Sequence, residues 1–174
     1  MCKILEEKPN LGKTAMVKYV FLLQKVYKVP LGYDFEIYTY GPYSSEVVED
    51  IDYARHLNII AMERVEYPRY IGYSLSLLDN ANTVLCEEKD FVSKYHEEIK
   101  EVVELFGDKT AKDLELATTI IYLYGNYIAN GWKCTLDEIS SGVHDIKPHF
   151  SLETIKDECR HLDNLGILKR VAQN

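Results

Sequence analysis

No part of this chain restricts the fold as tightly as Phe35-Glu36-Ile37-Tyr38-Thr39-Tyr40-Gly41-Pro42-Tyr43-Ser44-Ser45. Phe35 to Tyr40 is rich in aromatic and β-branched side chains and reads as a strand; Gly41-Pro42 breaks regular structure, and Ser44 or Ser45 supplies a helix cap. Proline fixes its own φ and biases the preceding residue away from the helical region, so the chain must leave the strand and enter the next helix at a set angle. The motif is a rigid corner. Tyr43 is expected to project from it beside helix N-terminal amides, which suit an acidic group.

The segments around this corner complete a unit. Lys13 to Tyr27 is apolar on nearly every side and is expected to be a buried helix ended by Pro30 and Gly32. Ser45 to Leu57 places Val47, Ile51, Ala54 and Leu57 at helical spacing, with Glu46, Glu49, Asp50 and Asp52 at its start and outer face. Residues 59–77 form a hairpin, with Ile71, Tyr73, Leu75 and Leu77 expected to face the core. Helix, strand, helix and hairpin make 1–80 a winged-helix-like unit.

The motif Tyr40-Gly41-Pro42-Tyr43-Ser44, preceded by Lys18 to Gln24 and Gly32-Tyr33, resembles the YwgA-type proteins and the wider Panacea group of SocA-like antitoxins. The likeness covers about the first 80 residues. Where the antitoxin branch carries a Trp three residues before the motif glycine, this chain has Tyr38, a departure toward the YwgA-type branch. The resemblance implies an antitoxin-like protein with a protein partner.

The second half, 81–174, reads as helical. Asp79 to Asn82 is a connector, Asp90 to Phe106 an amphipathic helix, and Thr110 to Asp113 a capping box opening a buried helix over 111–128 that stops at Asn130-Gly131. Thr135 to Glu138 caps a short helix, Gly142 to Pro148 is a turn region, and Ser151 caps a helix with Leu152, Ile155, Cys159 and Leu162 inward. Leu165 to Val171 is expected to be a Gly-led strand, giving a second helix-turn-helix-like unit. The predicted class is mainly α, α+β.

Chemistry is sparse. No nucleophile elbow, phosphate loop or metalloprotease helix occurs, and the Glu-Glu pairs sit in polar runs, so no catalytic residue and no enzyme activity is expected. Four cysteines lack paired spacing, and His144, His149, Cys159 and His161 do not form a recognisable zinc set; neither metal nor cofactor is expected. The start of the chain lacks the order of a signal peptide and no run is long enough to span a bilayer, which predicts a cytoplasmic protein without membrane association.

Two functions compete. One is a protein-interaction or regulatory module, with a protein partner or homodimer bound through Tyr40, Gly41, Pro42, Tyr43 and Tyr70; tyrosine suits interfaces, and eight of the 14 tyrosines fall within residues 33–73. Tyr38 and Tyr73 are expected in the core, since strands bury most of their aromatics. The other is a DNA-binding regulator whose C-terminal unit offers Lys147, His149, Thr154, Lys156, Arg160, Lys169 and Arg170. The net charge of −8 disfavours it, and none of the segments 1–80, 81–134 and 135–174 carries more basic than acidic side chains. Arbitrary duplex DNA should therefore bind no tighter than about 10⁻⁶ M at physiological salt, the tight end of ordinary nonspecific binding; a mobility shift at lower protein concentration contradicts this.

Overall fold

Two helices form the buried centre of the fold. In the computed structural model, which describes residues 1–67 and 70–173 and leaves the side chains of Tyr67 and Tyr70 undescribed, α2 (Lys13–Lys25) is buried without interruption from Met16 to Leu23. A later helix, α7 (Ala111–Ala129), is buried in the same way from Leu114 to Ile121. The two pack against each other. Such a continuous apolar circumference has no solvent face to lose, so burial of both is the dominant gain on folding.

Before α2 come α1 (Cys2–Glu7), which buries Ile4 and Leu5, and β1 (Leu11–Gly12). After it come β2 (Glu36–Tyr38), β3 (Gly41–Tyr43), α3 (Ser45–His56), β4 (Ile60–Tyr67) and β5 (Tyr70–Leu77). An antiparallel sheet has the order β1-β5-β4, with Leu11 opposite Leu75 and Met62 also opposite Leu75 across the other edge. The connector continues into α4 (Ala81–Glu87), α5 (Lys89–Lys94) and α6 (His96–Phe106), and the chain ends in α8 (Leu136–Ile146), α9 (Leu152–Asn164) and α10 (Ile167–Ala172). The protein is mainly α within an α+β class, and among the described residues no helix is long and apolar enough to cross a membrane.

The expected caps are present. Ser44 accepts from Val47 N–H at the start of α3; Thr110/Asp113 and Thr135/Glu138 form reciprocal capping boxes, and Ser151 accepts from Thr154 N–H.

Several expectations are corrected. Residues 167–171 are helix, not strand: Ile167, Leu168 and Val171 recur at helical spacing and are all buried, while Gly166, at φ 72°, is the left-handed residue that ends α9. Gly142 lies inside α8 and not in a turn. A β-carbon there would stand 2.8 Å from Leu123 and 2.9 Å from the Tyr127 hydroxyl, so glycine is what lets α7 and α8 approach. The helix expected over 90–106 is interrupted at Tyr95 into α5 and α6. The hairpin faces as expected only near its base: Leu75 is fully buried, but Ile71 and Tyr73 are 53% and 44% exposed because the distal ribbon extends past the core.

The corner also differs in detail. Its break is Thr39-Tyr40, and Gly41-Pro42 begins the return strand, with Tyr38 opposite Gly41 and Ile37 opposite Pro42. Gly41 has φ 88°, the left-handed residue that closes a short hairpin turn, and a β-carbon on it would lie 3.2 Å from Thr119 Oγ1 and 3.3 Å from the Glu115 carbonyl oxygen. Gly41 therefore serves both the turn and the seat on α7. Gly41→Val should lower the unfolding free energy by roughly 2–5 kcal/mol, combining left-handed strain with overpacking. Gly32→Ala, at φ 81° with nothing within 4 Å of its added carbon, should lose only about 1–2 kcal/mol in the same urea titration. Equal losses at the two positions would remove the packing part of the account.

Candidate functional site

The corner is held from beneath by two buried ammonium groups. Lys18, on the otherwise apolar face-all-round of α2, donates to the Pro42 carbonyl. Lys147 is the C-cap residue of α8, with φ −130°, and this departure from helical geometry swings its side chain out to donate to the Tyr38 carbonyl at 2.9 Å and to the Thr39 carbonyl. Each lysine is only 3% exposed. A buried cation is costly unless its protons are satisfied; the turn carbonyls take two of the Lys147 protons and one of the Lys18 protons.

The acid in this cluster is Glu115 of α7, itself 8% exposed, with Oε1 3.0 Å from Lys147 Nζ and 3.5 Å from His149 Nε2. The Lys147 contact has ion-pair distance without hydrogen-bond alignment, so Oε1 is a buried acceptor with no hydrogen-bond donor. On the same helix, the Thr118 and Thr119 hydroxyls turn back onto the Leu114 and Glu115 carbonyls at 2.6 and 2.7 Å. Their own hydrogen-bonding needs are met, and they offer Gly41 a smooth seat. Burial pushes the Lys18 ammonium down to about 8, a shift that Glu115 opposes and Lys147 reinforces.

Above this base the corner presents aromatic surface. Tyr38 is 63% and Tyr40 65% exposed, and Tyr43, half-buried, packs its ring 5.6 Å from that of Tyr38. Gly41 and Pro42 are buried and act as framework. On one side of Tyr38 and Tyr40 lies an open recess of about 490 Å³ whose floor and walls include Glu115, Ile146, Lys147 and His149. On the other side a smaller recess of about 290 Å³ is lined by Lys13, Thr14, Val17 and Val48.

The residues predicted for partner binding are thus divided: Tyr40 and Tyr43 reach the surface, Gly41 and Pro42 support them, and the side chain of Tyr70 lies outside the described residues. Tyr38 and Tyr73, expected in the core, are exposed. Two-sided burial is what strands of a large sheet receive, whereas β2 belongs to a two-stranded ribbon and the distal part of β5 overhangs the core.

The predicted nucleic-acid set is not brought together as a basic face. Lys147 is buried under the corner, which corrects its assignment as a phosphate contact, and His149 lies against Glu115. Lys156 pairs with Asp137 at 2.5 Å, Arg160 with Asp157 at 2.8 Å, and Arg170 grips both oxygens of Glu101 at 2.9 and 2.8 Å while stacking over Tyr27. Thr154 is exposed in the cap of α9, and Lys169 is exposed with no carboxylate within ion-pair distance among the described residues. The histidines and cysteine weighed for a metal are also dispersed: His144 donates its ring Nδ1–H to the Phe150 carbonyl, His161 is exposed, and Cys159 is buried with its thiol pushed up to about 11.

Lys18 and Glu115 were missed by sequence reasoning, although each is a lone charge inside a run of apolar and small residues, Ala15-Met16-Val17-Lys18-Tyr19-Val20 and Leu114-Glu115-Leu116-Ala117. That isolation is the signal. The depressed Lys18 pKa has a testable sign: the unfolded chain holds this proton up to about pH 10.5, whereas the folded chain releases it near pH 8, so the lysine's penalty is full below pH 8 and fades as pH rises. Stability of Lys18→Met relative to the natural chain should consequently decline between pH 7.5 and 10, a difference in which the other titrating groups cancel. A pH-independent difference in parallel urea titrations would rule out the lowered Lys18 pKa.

Among curated proteins, the chain is similar to the uncharacterized protein YwgA of Bacillus subtilis (strain 168), at 23% identity over 115 residues, 66% of this chain and 66% of that one. No protein-family model matches, and no solved structure matches. The likeness implied by the corner motif is therefore supported as YwgA-like; the match does not extend to the wider Panacea group.

Proposed function

We propose that this chain is a non-enzymatic interaction module that docks a protein partner on the Tyr38–Tyr43 corner. The observation that carries the reading is the pairing of two strongly exposed tyrosines with a backbone held from beneath by buried lysines. Aromatic anchors lose little conformational entropy on binding when their backbone is already fixed, and such residues dominate the energetics of interfaces. The resemblance to SocA-like antitoxins adds the class of partner, a toxin-like protein.

The same reading fits the N-terminal topology. With the β2–β3 ribbon set between α2 and α3, the order α1, β1, α2, β2, β3, α3, β4, β5 and the sheet order β1-β5-β4 support a winged-helix-like reading, in which α3 takes the recognition position. Here α3 exposes Glu46, Glu49 and Asp52, charges that repel phosphate. A protein partner suits this surface better than DNA.

Co-expression with the products of the adjoining genes tests the proposal. A product that co-purifies with the natural chain should bind about tenfold or more weakly to Tyr38→Ala/Tyr40→Ala, as expected for aromatic anchors. The melting temperature should move by no more than about 2 °C per substitution, since both side chains are exposed. Undiminished binding by the double variant would rule out the corner as the docking surface.

A further inference from the structure

We infer that the apolar recess between α3 and the α4–α5 segment receives the apolar face of a basic amphipathic helix from a protein partner. No residue of the Tyr38–Tyr43 corner lines this recess, so the inference stands apart from the docking surface proposed above.

The recess exists because α4 and α5 do not close over the core. They are short helices of 7 and 6 residues; α4 buries Ala81 alone, and α5 buries no residue. Val84, Leu85, Phe91 and Val92 of these helices, none of them buried, line a half-open recess of about 490 Å³ whose floor includes the buried Ile4 and Ile60. The facing wall is α3, whose Tyr53 is 63% exposed, and Phe91 is 37% exposed. These two rings carry the apolar surface out to the rim. Helical walls with apolar side chains left open between them form the kind of groove in which a partner helix lays anchors at i, i+3 or i+4, and i+7. With 12 residues, α3 is about 18 Å long, enough to follow roughly three turns of such a helix.

Charge selects the occupant. The charged side chains lining the recess are Lys3, Asp50 and Glu88. Lys3 is spent on Glu6 and Glu7, each at 2.9 Å. Asp50 accepts from the Tyr33 hydroxyl at 2.6 Å through one oxygen; its other oxygen and both of those on Glu88 have no donor among the described residues, and both side chains are exposed. Glu49, exposed one turn before Tyr53 on α3, adds a third acid to that side. Met1 also lines the recess, but burial pushes its amino group down from its ordinary pKa, which weakens it as a counter-ion. Lys and Arg flanking the apolar stripe of a partner helix meet these open acids. An anionic lipid surface, or a second copy of a chain with net charge −8, brings like charge to them instead.

The test is selection from a displayed library of random peptides of about 14 residues, roughly four helical turns, on the immobilised full chain. Enriched sequences are then titrated as synthetic peptides into the isotope-labelled chain and followed by NMR. They should carry apolar residues at helical spacing with Lys or Arg between them, and should shift Leu31, Tyr53, Val84, Leu85 and Phe91. Tyr53→Asp, at an exposed position that does not threaten the fold, should weaken them about tenfold or more, as should Phe91→Asp. Asp50→Asn and Glu88→Gln should each weaken them about two- to fivefold, an effect that shrinks as salt is raised. Absence of enrichment, enrichment of acidic or unpatterned sequences, binding indifferent to Tyr53 and Phe91, or shifts confined to the Tyr38–Tyr43 corner would each overturn the inference. So would self-association in sedimentation, or binding to phosphatidylcholine–phosphatidylserine vesicles, that Tyr53→Asp abolishes, since either assigns the recess a different occupant.

Discussion

The structure depends on a bargain struck at the contact between α7 and the β2–β3 turn. Gly41 sits on the Thr118 and Thr119 hydroxyls, where an added β-carbon would lie only 3.3 and 3.2 Å from them, and this seating holds the turn and its carbonyls close against the helix. Those carbonyls then require donors, and Lys18 and Lys147 arrive from opposite sides to supply them. Their charge in turn requires an acid, and Glu115 is it. Each polar group in the cluster is there because the previous one was buried.

This chain of requirements joins parts distant in sequence. Lys147 lies 109 residues from Tyr38, so the corner of the N-terminal half is completed by the last turn of α8. Removing one member of a buried charge network usually costs more than replacing the whole by apolar groups, because the remaining charge is stranded. The retention of two lysines and a glutamate at this junction is consistent with a gain in specificity of arrangement: carbonyls can be satisfied in one register of the turn against α7 and α8, not in a slipped one.

Much of the architecture was legible in the sequence. The continuous apolar circumference of α2 and α7, the two capping boxes and the base of the β4–β5 hairpin carry local signals that tertiary contacts reinforce. What escaped was decided between elements. The two-residue strand β1 exists because Leu11 and Gly12 meet β5, and a strand that short has no period to read. Leu165 to Val171 has strand-forming residues, but its buried trio repeats at helical spacing against neighbours that only the fold supplies. The corner motif was recognised, yet the direction its tyrosines face followed from the small size of their ribbon, and the cations beneath it were visible only as isolated charges in apolar runs.

The β4–β5 ribbon has a consequence of a different kind. Among the described residues, β4 is an edge of its sheet and β5 pairs with β1 only at Leu75 and Ser74, so beyond those positions the ribbon has no further strand on either margin. With Ile71 and Tyr73 exposed on it, such a ribbon is a template on which another extended chain can assemble. Glu63, Arg64 and Glu66 along β4, with Arg64 and Glu66 paired at 3.0 Å, place charges where an incoming strand would have to bury them. Their contribution is to colloidal solubility, and neutralising them would leave the fold intact while opening a route to fibrous self-association.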